Sequence, residues 1–521
     1  MKLTRSLTIF PAVILTTLSV FPLSVSFLFL GRKALINFLA YLPYLVIIIL
    51  IFSCFLLLIK YSKKIEKRIN YTKNFLLINS LSGLGLVLLT ILIRYALIYY
   101  FPAPAASDSL LALQIAGKWI LGPVLSPQHF FFQHWGIYAL ALSKVFSVFG
   151  NSIFVAKSIS ACAAAITAVV TYFVLLKTTR KFGTALAGGL LISLWPSYAL
   201  YVNFLSGEHL FIMFFSLAVL ALVFADEKYK STNIHKYYLW VIFFSIALCL
   251  GNVFKEMTII TIPSSIFAFV YIIWSVKSPL QRKIGALALS VLILLGCSIF
   301  ITFLSDSMVS YYAKGPVNHS KTGYFIATGL NLDTGGRYSI NIADSYTQPL
   351  RKALSANALT DTVYKKTDSE ILNTAISVAS SNAQHLTKLF LTKMYTVWSN
   401  EDEINNWNYD SYTLTNSKPV NSSLQELKDK LQKFNIFSNA YFLFVILFSI
   451  LAAISLLKNY KKRRPELIFL ALVVVGFSFA LLIIEVLTRY RSILFPALAI
   501  LAVYGMVYLV DLGPGKKKSS N

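Results

Sequence analysis

Charge is scarce in this chain, and acid is scarcer still. Of 521 residues, 13% are charged and 57% apolar, against about 25% charged in an ordinary soluble domain, so a water-soluble globular fold is excluded and a polytopic membrane protein is implied. Only 21 Asp and Glu stand beside 47 Lys and Arg, for a formal net charge of +26. Such an excess suits nucleic acid only where the basic residues gather on one soluble face. Here they are dispersed between apolar spans, and no nucleic-acid partner is expected. Cysteine is limited to Cys54, Cys162, Cys249 and Cys297, each inside an apolar run, which leaves no disulfide framework or Cys-based zinc site in the polar segments. A phosphate-cradling glycine loop, a nucleophile elbow and an HExxH helix are all missing, so nucleotide-driven transport and metalloprotease chemistry lack their minimum residues.

What is present is a series of apolar runs long enough to cross a bilayer, which takes roughly 17–25 residues. They fall near 8–30, 35–59, 75–100, 153–176, 184–201, 209–225, 237–253, 257–275, 284–304, 436–457, 467–487 and 492–510, and the fold class they predict is an all-α polytopic membrane protein of about twelve transmembrane helices. The first run follows the basic MKLTRS and ends in LFLGRKA without a small-residue cleavage pattern, so it is read as a retained helix. Alternate connections, at the N-terminus, 60–74, 177–183, 226–236, 277–283, 458–466 and the C-terminal tail, hold 25 Lys and Arg, whereas the opposite short loops hold seven. The positive-inside rule therefore predicts both termini cytoplasmic. Lys-rich loops and a cysteine-poor outer segment suit a multi-pass protein of a bacterial plasma membrane.

Four regions follow. Residues 1–74 form two N-terminal helices and a basic loop; 75–304 form a seven-helix module with an outer loop at 101–152; 305–435 form an extracytoplasmic domain of mixed structure between helices nine and ten, large enough for its own core; and 436–521 form three C-terminal helices and a basic tail.

Few reactive groups share the outer side. Asp108 stands just past the third helix, and Glu208 occupies a short turn in YVNFLSGEHLFIMFF. A loop acid is ordinarily solvated or caps a turn, and an acid opening a helix is favoured by the dipole, yet two carboxylates at one membrane face single each other out. Lys255 and Glu256, in LGNVFKEMTII, interrupt an apolar run where charge is costly unless paired or functional; mutual pairing is the bland alternative. Glu485 and Arg489, in IIEVLTRYRSILFP, have the i, i+4 spacing of an intrahelical ion pair, although an Arg fork at that depth also suits a lipid phosphate. Arg94, about six residues below its helix end, is expected to snorkel to the surface. His129 and His134, in PQHFFFQHW, read as an interfacial aromatic belt rather than a zinc site.

The early acid in SDSLLALQIAG, the stretch HWGIYALALSKVFSVFGNS, the helices VAKSISACAAAITAVVTYFVLLKTTRKFG and ALAGGLLISLWPSYALYVNFLSGEHLF, and the late RYRSILFPALAILAVYG together resemble the GT-C class of membrane glycosyltransferases. These take a sugar from a polyprenyl phosphate, as protein O-mannosyltransferases and lipid A aminoarabinose transferases do. The resemblance covers residues 75–305 and returns at 485–505. It implies that Asp108 is the essential acid of the first outer loop, that Glu208 is the second acid, and that Arg489 is the basic group near the donor phosphate, with Lys255 where the class often has a basic residue. Arg491, His209 and Glu256 are added as candidate substrate-binding residues. Two departures stand out: Ser109 follows Asp108 where many relatives carry a second acid, and two helices precede the module.

The chemistry expected of such an enzyme agrees with these residue types. Transfer from a lipid phosphate to a hydroxyl develops positive charge on the sugar ring, and a base must take the acceptor proton, as the water-activating carboxylate does in inverting glycosidases. The phosphate leaving group needs no acid, only positive charge held where its own negative charge develops. This scheme requires no cofactor and leaves a divalent cation open. The partners it implies are a polyprenyl-phosphate-linked sugar donor, a cell-envelope polymer, lipid or protein as acceptor, and the lipid bilayer. The rival classes are a polysaccharide polymerase or ligase and a lipid-linked saccharide transporter; the chain lacks the related halves expected of a transporter.

Overall fold

The computed structural model describes residues 13–14, 16–17, 42–69, 71–124, 133–315, 321–356, 358–381, 383–419, 423–458 and 464–512. Among the described residues every regular element is helical, and nine helices are long and apolar enough to cross a membrane, ten if one bent pair counts as a single span. The chain is a multi-pass membrane protein. Three of the twelve expected spans account for the difference. The run at 8–30 lies almost wholly outside the described residues. The run at 257–275 is Thr258–Trp274, 17 residues and about 25 Å long at 1.5 Å per residue, short of a ~30 Å hydrocarbon core. The run at 184–201 is broken.

In chain order the helices are α1 Leu42–Lys60, α2 Ser62–Arg68, α3 Phe75–Tyr100, α4 Ser107–Trp119, α5 Gln133–Phe149, α6 Ile153–Thr179, α7 Phe182–Ser193, α8 Pro196–Leu200, α9 Glu208–Lys230, α10 Ile234–Phe254, α11 Thr258–Trp274 and α12 Leu280–Ala313. There follow α13 Thr322–Gly329, α14 Ile340–Ser355, α15 Asp361–Ser380, α16 Ala383–Trp398, α17 Asp402–Thr415, α18 Leu424–Lys458, α19 Pro465–Ile483 and α20 Phe495–Leu512.

Helices α6 and α20 sit at the centre, buried along most of their length, whereas α1, α3 and α12 are peripheral. The sequence of α6 explains its place: the small residues Ala161, Ala163, Ala164, Ala165 and Ala168 are all buried and let neighbouring helices approach closely, as packing inside a bilayer favours. On α3 and α12 large residues such as Leu76, Leu92, Ile299 and Phe303 face outward, forming the apolar surface a lipid environment covers.

The break between α7 and α8 comes from LWPSYAL. Pro196 takes the first helical position, where its missing N–H costs nothing, and the residue before it, Trp195, is driven into extended geometry by the proline ring. The two segments bend by 54°. Arg94 serves the Ser193 carbonyl at that break. It does not snorkel; it is fully buried, its Nη1 donating to the carbonyls of Thr90 at 3.2 Å and Ser193 at 3.5 Å.

The polar segment is helical where mixed structure was expected, and its borders at 305 and 435 fall inside continuous helices. Helix α12 has 34 residues and α18 has 35, each about 50 Å long, well beyond the hydrocarbon thickness. Between them α13–α17 make a helical lobe in which α13, α14 and α15 enclose a small core of Tyr324, Ala343, Tyr346, Leu350 and Tyr364, while α16 and α17 pack into the bundle's own clusters. On α14 the buried positions 343, 346, 347 and 350 repeat at the spacing of a single helical face. The turn-forming residues of LDTGGRYS join α13 to α14, with Gly335 and Gly336 at φ of +64° and +78°.

Candidate functional site

Several chain breaks meet at one end of the bundle. Helix α4 begins at Ser107, whose φ of +48° turns the chain sharply out of the Pro-interrupted 101–106 segment. Two polar contacts anchor that turn: Lys157 Nζ donates to the Ala103 carbonyl at 2.9 Å, and Ser109 Oγ donates to the Leu205 carbonyl at 3.1 Å. Asp108 thereby occupies the first turn of α4, where the helix dipole favours its carboxylate. Positions 112, 115, 116 and 119, one and more turns below Asp108 on the same side of α4, are buried against α5.

Glu208 opens α9, directly after Gly207. A Cβ on Gly207 would stand 2.7 Å from the Phe254 carbonyl oxygen, so only glycine lets the start of α9 approach the end of α10 this closely. That approach brings Lys255 to Glu208, Nζ to Oε1 at 2.6 Å. The other carboxylate oxygen accepts from the Tyr201 hydroxyl and from Ser206 Oγ at 3.4 Å. Glu208 is therefore satisfied on both oxygens.

Arg489 arrives from the far end of the chain. The expected intrahelical pair with Glu485 does not form, because α19 ends at Ile483 and a tight 3₁₀ stretch, Thr488–Leu494, begins only after an extended connection. Its Nη2 instead stands 3.6 Å from Asp108 Oδ2, with the guanidinium 4.6 Å from the Phe204 ring centre. Lys255 Nζ lies 4.4 Å from the centre of the Tyr490 ring. Asp108, Glu208, Lys255 and Arg489 thus line a single cavity, together with Trp135, Tyr138, Phe204 and Tyr490. Among these acids Asp108 is the least engaged, with Arg489 at 3.6 Å and Ser107 Oγ at 3.3 Å.

The extended connection before Arg489 is held by the helical lobe. Backbone N–H groups of Glu485 and Val486 donate to the carbonyls of Phe325 at 3.0 Å and Gly336 at 2.8 Å, and the Thr488 N–H donates to Glu403 Oε2 at 2.6 Å. Lys393 Nζ reaches the carbonyls of Gly329, Leu482 and Ile484 at 2.9, 2.9 and 2.7 Å, three acceptors that match the three N–H bonds of an ammonium. Burial pushes the Glu485 carboxyl above the usual carboxylate range, an effect opposed by Arg489 and Lys255.

The other three residues singled out from the sequence lie away from this cavity. Arg491 is fully buried and donates to the carbonyls of Val397 and, at 3.0 Å, Asn400, with Nη2 3.4 Å from Glu401 Oε1. That Glu401 also accepts from Trp195, Ser197 and Ser438, and burial raises its carboxyl against these partners. His209 is buried, its Nε2 within 3.3 Å of the Tyr201 and Phe204 carbonyl oxygens. Glu256 turns from Lys255 to Lys321 at 2.9 Å and lines a separate cavity. His129 lies outside the described residues, as does the side chain of His134. No three His, Cys, Asp or Glu side chains among the described residues converge as metal ligands.

Beside the first cavity is a larger one of about 420 Å³, sharing Phe204 and Arg489 with it and walled by Glu403, Trp407, Asp410 and Leu414 of α17. Nothing in the composition of α17 sets it apart in the sequence, although the 403, 407, 410, 414 spacing of acidic and apolar residues in EINNWNYDSYTL marks one helical face. Tyr201, Phe204 and Tyr490 likewise carry no charge to draw attention inside an apolar chain.

Comparison with solved structures pairs this chain with ArnT from Cupriavidus metallidurans bound to undecaprenyl phosphate, at 12% identity over 82% of this chain and 78% of that one, with a TM-score of 0.33. No family model matches the chain, and no curated protein does. At that score the likeness carries no weight for function, which has to come from the cavity.

Proposed function

We propose that this protein is a membrane glycosyltransferase that moves a sugar from a polyprenyl-phosphate donor to an acceptor hydroxyl with inversion at the anomeric carbon. The observation that carries the reading is the juxtaposition of a lightly held carboxylate with a buried-side cation, Asp108 and Arg489 at 3.6 Å, in one cavity with a second cation, Lys255. The two face each other as an ion pair. A donor phosphate entering between Arg489 and Lys255 offers Arg489 a bidentate anionic partner and releases Asp108 to face the acceptor.

The acceptor hydroxyl then gives its proton to Asp108 as its oxygen bonds to the anomeric carbon, and the bond from that carbon to the phosphate oxygen breaks with the electron pair leaving on phosphate. Arg489 and Lys255 stand where that negative charge develops, and they need no rearrangement as it does so. Glu208, bonded by Tyr201, Ser206 and Lys255, is poorly placed to take a proton and well placed to aim Lys255. It is a positioning residue in this scheme, as His209 is through its contacts with the 201–204 backbone. Arg491 and Glu256 have no direct part in it. The prenyl tail stays in hydrocarbon beside the bundle, and the sugar is delivered on the extracytoplasmic face that the loop charges assign.

The test is to reconstitute the protein with a panel of radiolabelled polyprenyl-phosphate sugars and a cell-envelope extract. One donor is expected to lose label to an acceptor with inverted configuration. Retained configuration, or no transfer from any donor in the panel, removes the proposal.

A further inference from the structure

The larger cavity next to Arg489 is built for something, and its chemistry narrows what. Its wall on α17 is one helical stripe, Glu403, Trp407, Asp410 and Leu414, while the opposite side of that helix is fastened down: Asn405, Asn408 and Tyr412 are buried, and Asn408 accepts from Asn203 Nδ2 at 2.6 Å. The stripe is therefore rigidly presented. Facing it are the rings of Tyr201 and Phe204, with Phe204 edge-on to Trp407 at 4.8 Å between centres. Trp407 offers its ring to the cavity as an apolar, polarisable wall. Asp410 stands at the exposed rim of the cavity, where partial desolvation together with the neighbouring Glu403 charge raises its carboxyl. The volume, about 420 Å³, lies in the ~300–1,000 Å³ range of small-molecule sites.

We propose that this cavity is a saccharide subsite, holding a neutral, hydroxyl-rich ring against Trp407 with its hydroxyls on Asp410 and Glu403 and its reacting end toward Arg489 and Asp108. Resting on the transferase reading, it makes the acceptor a neutral glycan. The aromatic faces suit the C–H faces of a sugar ring, and the carboxylates accept from its hydroxyls. Two adjacent acids disfavour a phosphorylated or carboxylated acceptor by like-charge repulsion. Because Arg489 belongs to both cavities, a sugar seated here has its end within reach of the group that would deprotonate it.

The experiment uses the full-length protein in lipid nanodiscs and measures binding by tryptophan fluorescence and calorimetry. The probes are neutral oligosaccharides (manno-, gluco-, galacto- and N-acetylglucosamine trisaccharides), with a lysine-rich peptide and a phosphorylated sugar as contrasts. At least one neutral saccharide is expected to bind, at least tenfold more weakly in Trp407→Ala and Asp410→Ala and near normally in Trp407→Phe, with thermal unfolding confirming that each variant is folded. Failure of every saccharide to bind, binding of the lysine-rich peptide alone, or saccharide affinity indifferent to all three variants overturns the subsite. Trp407-dependent saccharide binding without transfer from any polyprenyl-phosphate sugar keeps the subsite and removes the transferase. Transfer whose acceptor KM ignores Trp407 and Asp410 keeps the transferase and removes the subsite.

Discussion

Asp108 and Glu208 have the same functional group and opposite situations, and the difference decides their roles. Glu208 accepts from Lys255, Tyr201 and Ser206 and is nearly buried, whereas Asp108 has one cation at 3.6 Å and a third of its side chain in the open. Removing Lys255 leaves Glu208 buried without its cation, so Lys255→Met is expected to cost about 3–5 kcal/mol of stability. The double variant Lys255→Met/Glu208→Gln should recover most of that stability while transfer stays low, a split that thermal unfolding and turnover read separately. Equal recovery of both would deny Lys255 a place at the phosphate. Arg489→Ala is expected to lower turnover by about 10²–10³-fold, with Arg489→Lys in between because a lysine cannot grip a phosphate with two parallel bonds. Glu485 supplies a pH test. Its folded carboxyl is raised above the unfolded value by burial, so the stability it contributes is present at low pH and lost as pH rises from the ordinary carboxylate range through the folded value. The stability of wild type relative to Glu485→Gln should therefore fall as pH rises above the ordinary carboxylate range; a rising or flat difference contradicts that placement.

At the scale of elements, the site depends on where helices stop. The start of α9 meets the end of α10 only because position 207 lacks a Cβ. Gly207→Ala must push the Phe254 carbonyl away, at a cost of about 1–3 kcal/mol and a loss of turnover of about 10²-fold through displaced Glu208 and Lys255; turnover within twofold of wild type would show the junction to be looser than drawn. Helix ends also mark the limits of what the sequence revealed. That Asp108, Glu208, Lys255 and Arg489 should meet at one face was legible from the alternation of apolar spans, since each sits at the same kind of loop. Which cation pairs with which acid was not: Lys255 takes Glu208 rather than its neighbour Glu256, and Arg489 takes Asp108 rather than Glu485, because these choices are made by contacts more than forty residues apart in the chain. The α7–α8 break was visible as a proline yet lay within an apolar run long enough to span, and the charge on Arg94 pointed to the surface although the Ser193 carbonyl at that break accepts from its buried guanidinium.

For the whole molecule, the polar lobe and the bundle are one machine rather than a domain set between spans. Helices α12 and α18 run unbroken from bundle into lobe, and the lobe's Lys393, Phe325 and Gly336 hold the connection that ends in Arg489. Turn residues in the 305–435 segment suggested mixed structure because they report where helices are joined, not what lies between the joints. The positive-inside rule predicts this lobe on the extracytoplasmic side. In a variant whose four native cysteines are replaced, a cysteine at Asn416 is expected to react with a membrane-impermeant maleimide in intact cells and a cysteine at Lys64 only after lysis; the reverse pattern would invert the topology and put the sugar acceptor in the cytoplasm.

The central claim is that Asp108 takes the acceptor proton while Arg489 and Lys255 hold the departing phosphate. It is tested most directly by measuring single-turnover transfer and donor affinity in the same preparations of wild type and Asp108→Asn. The account predicts that transfer falls by about 10²–10⁴-fold, the usual contribution of a general base, while the donor binds as tightly as before or tighter because Arg489 no longer has a carboxylate to leave. Transfer at the wild-type rate, or a loss that tracks weakened donor binding alone, would contradict it.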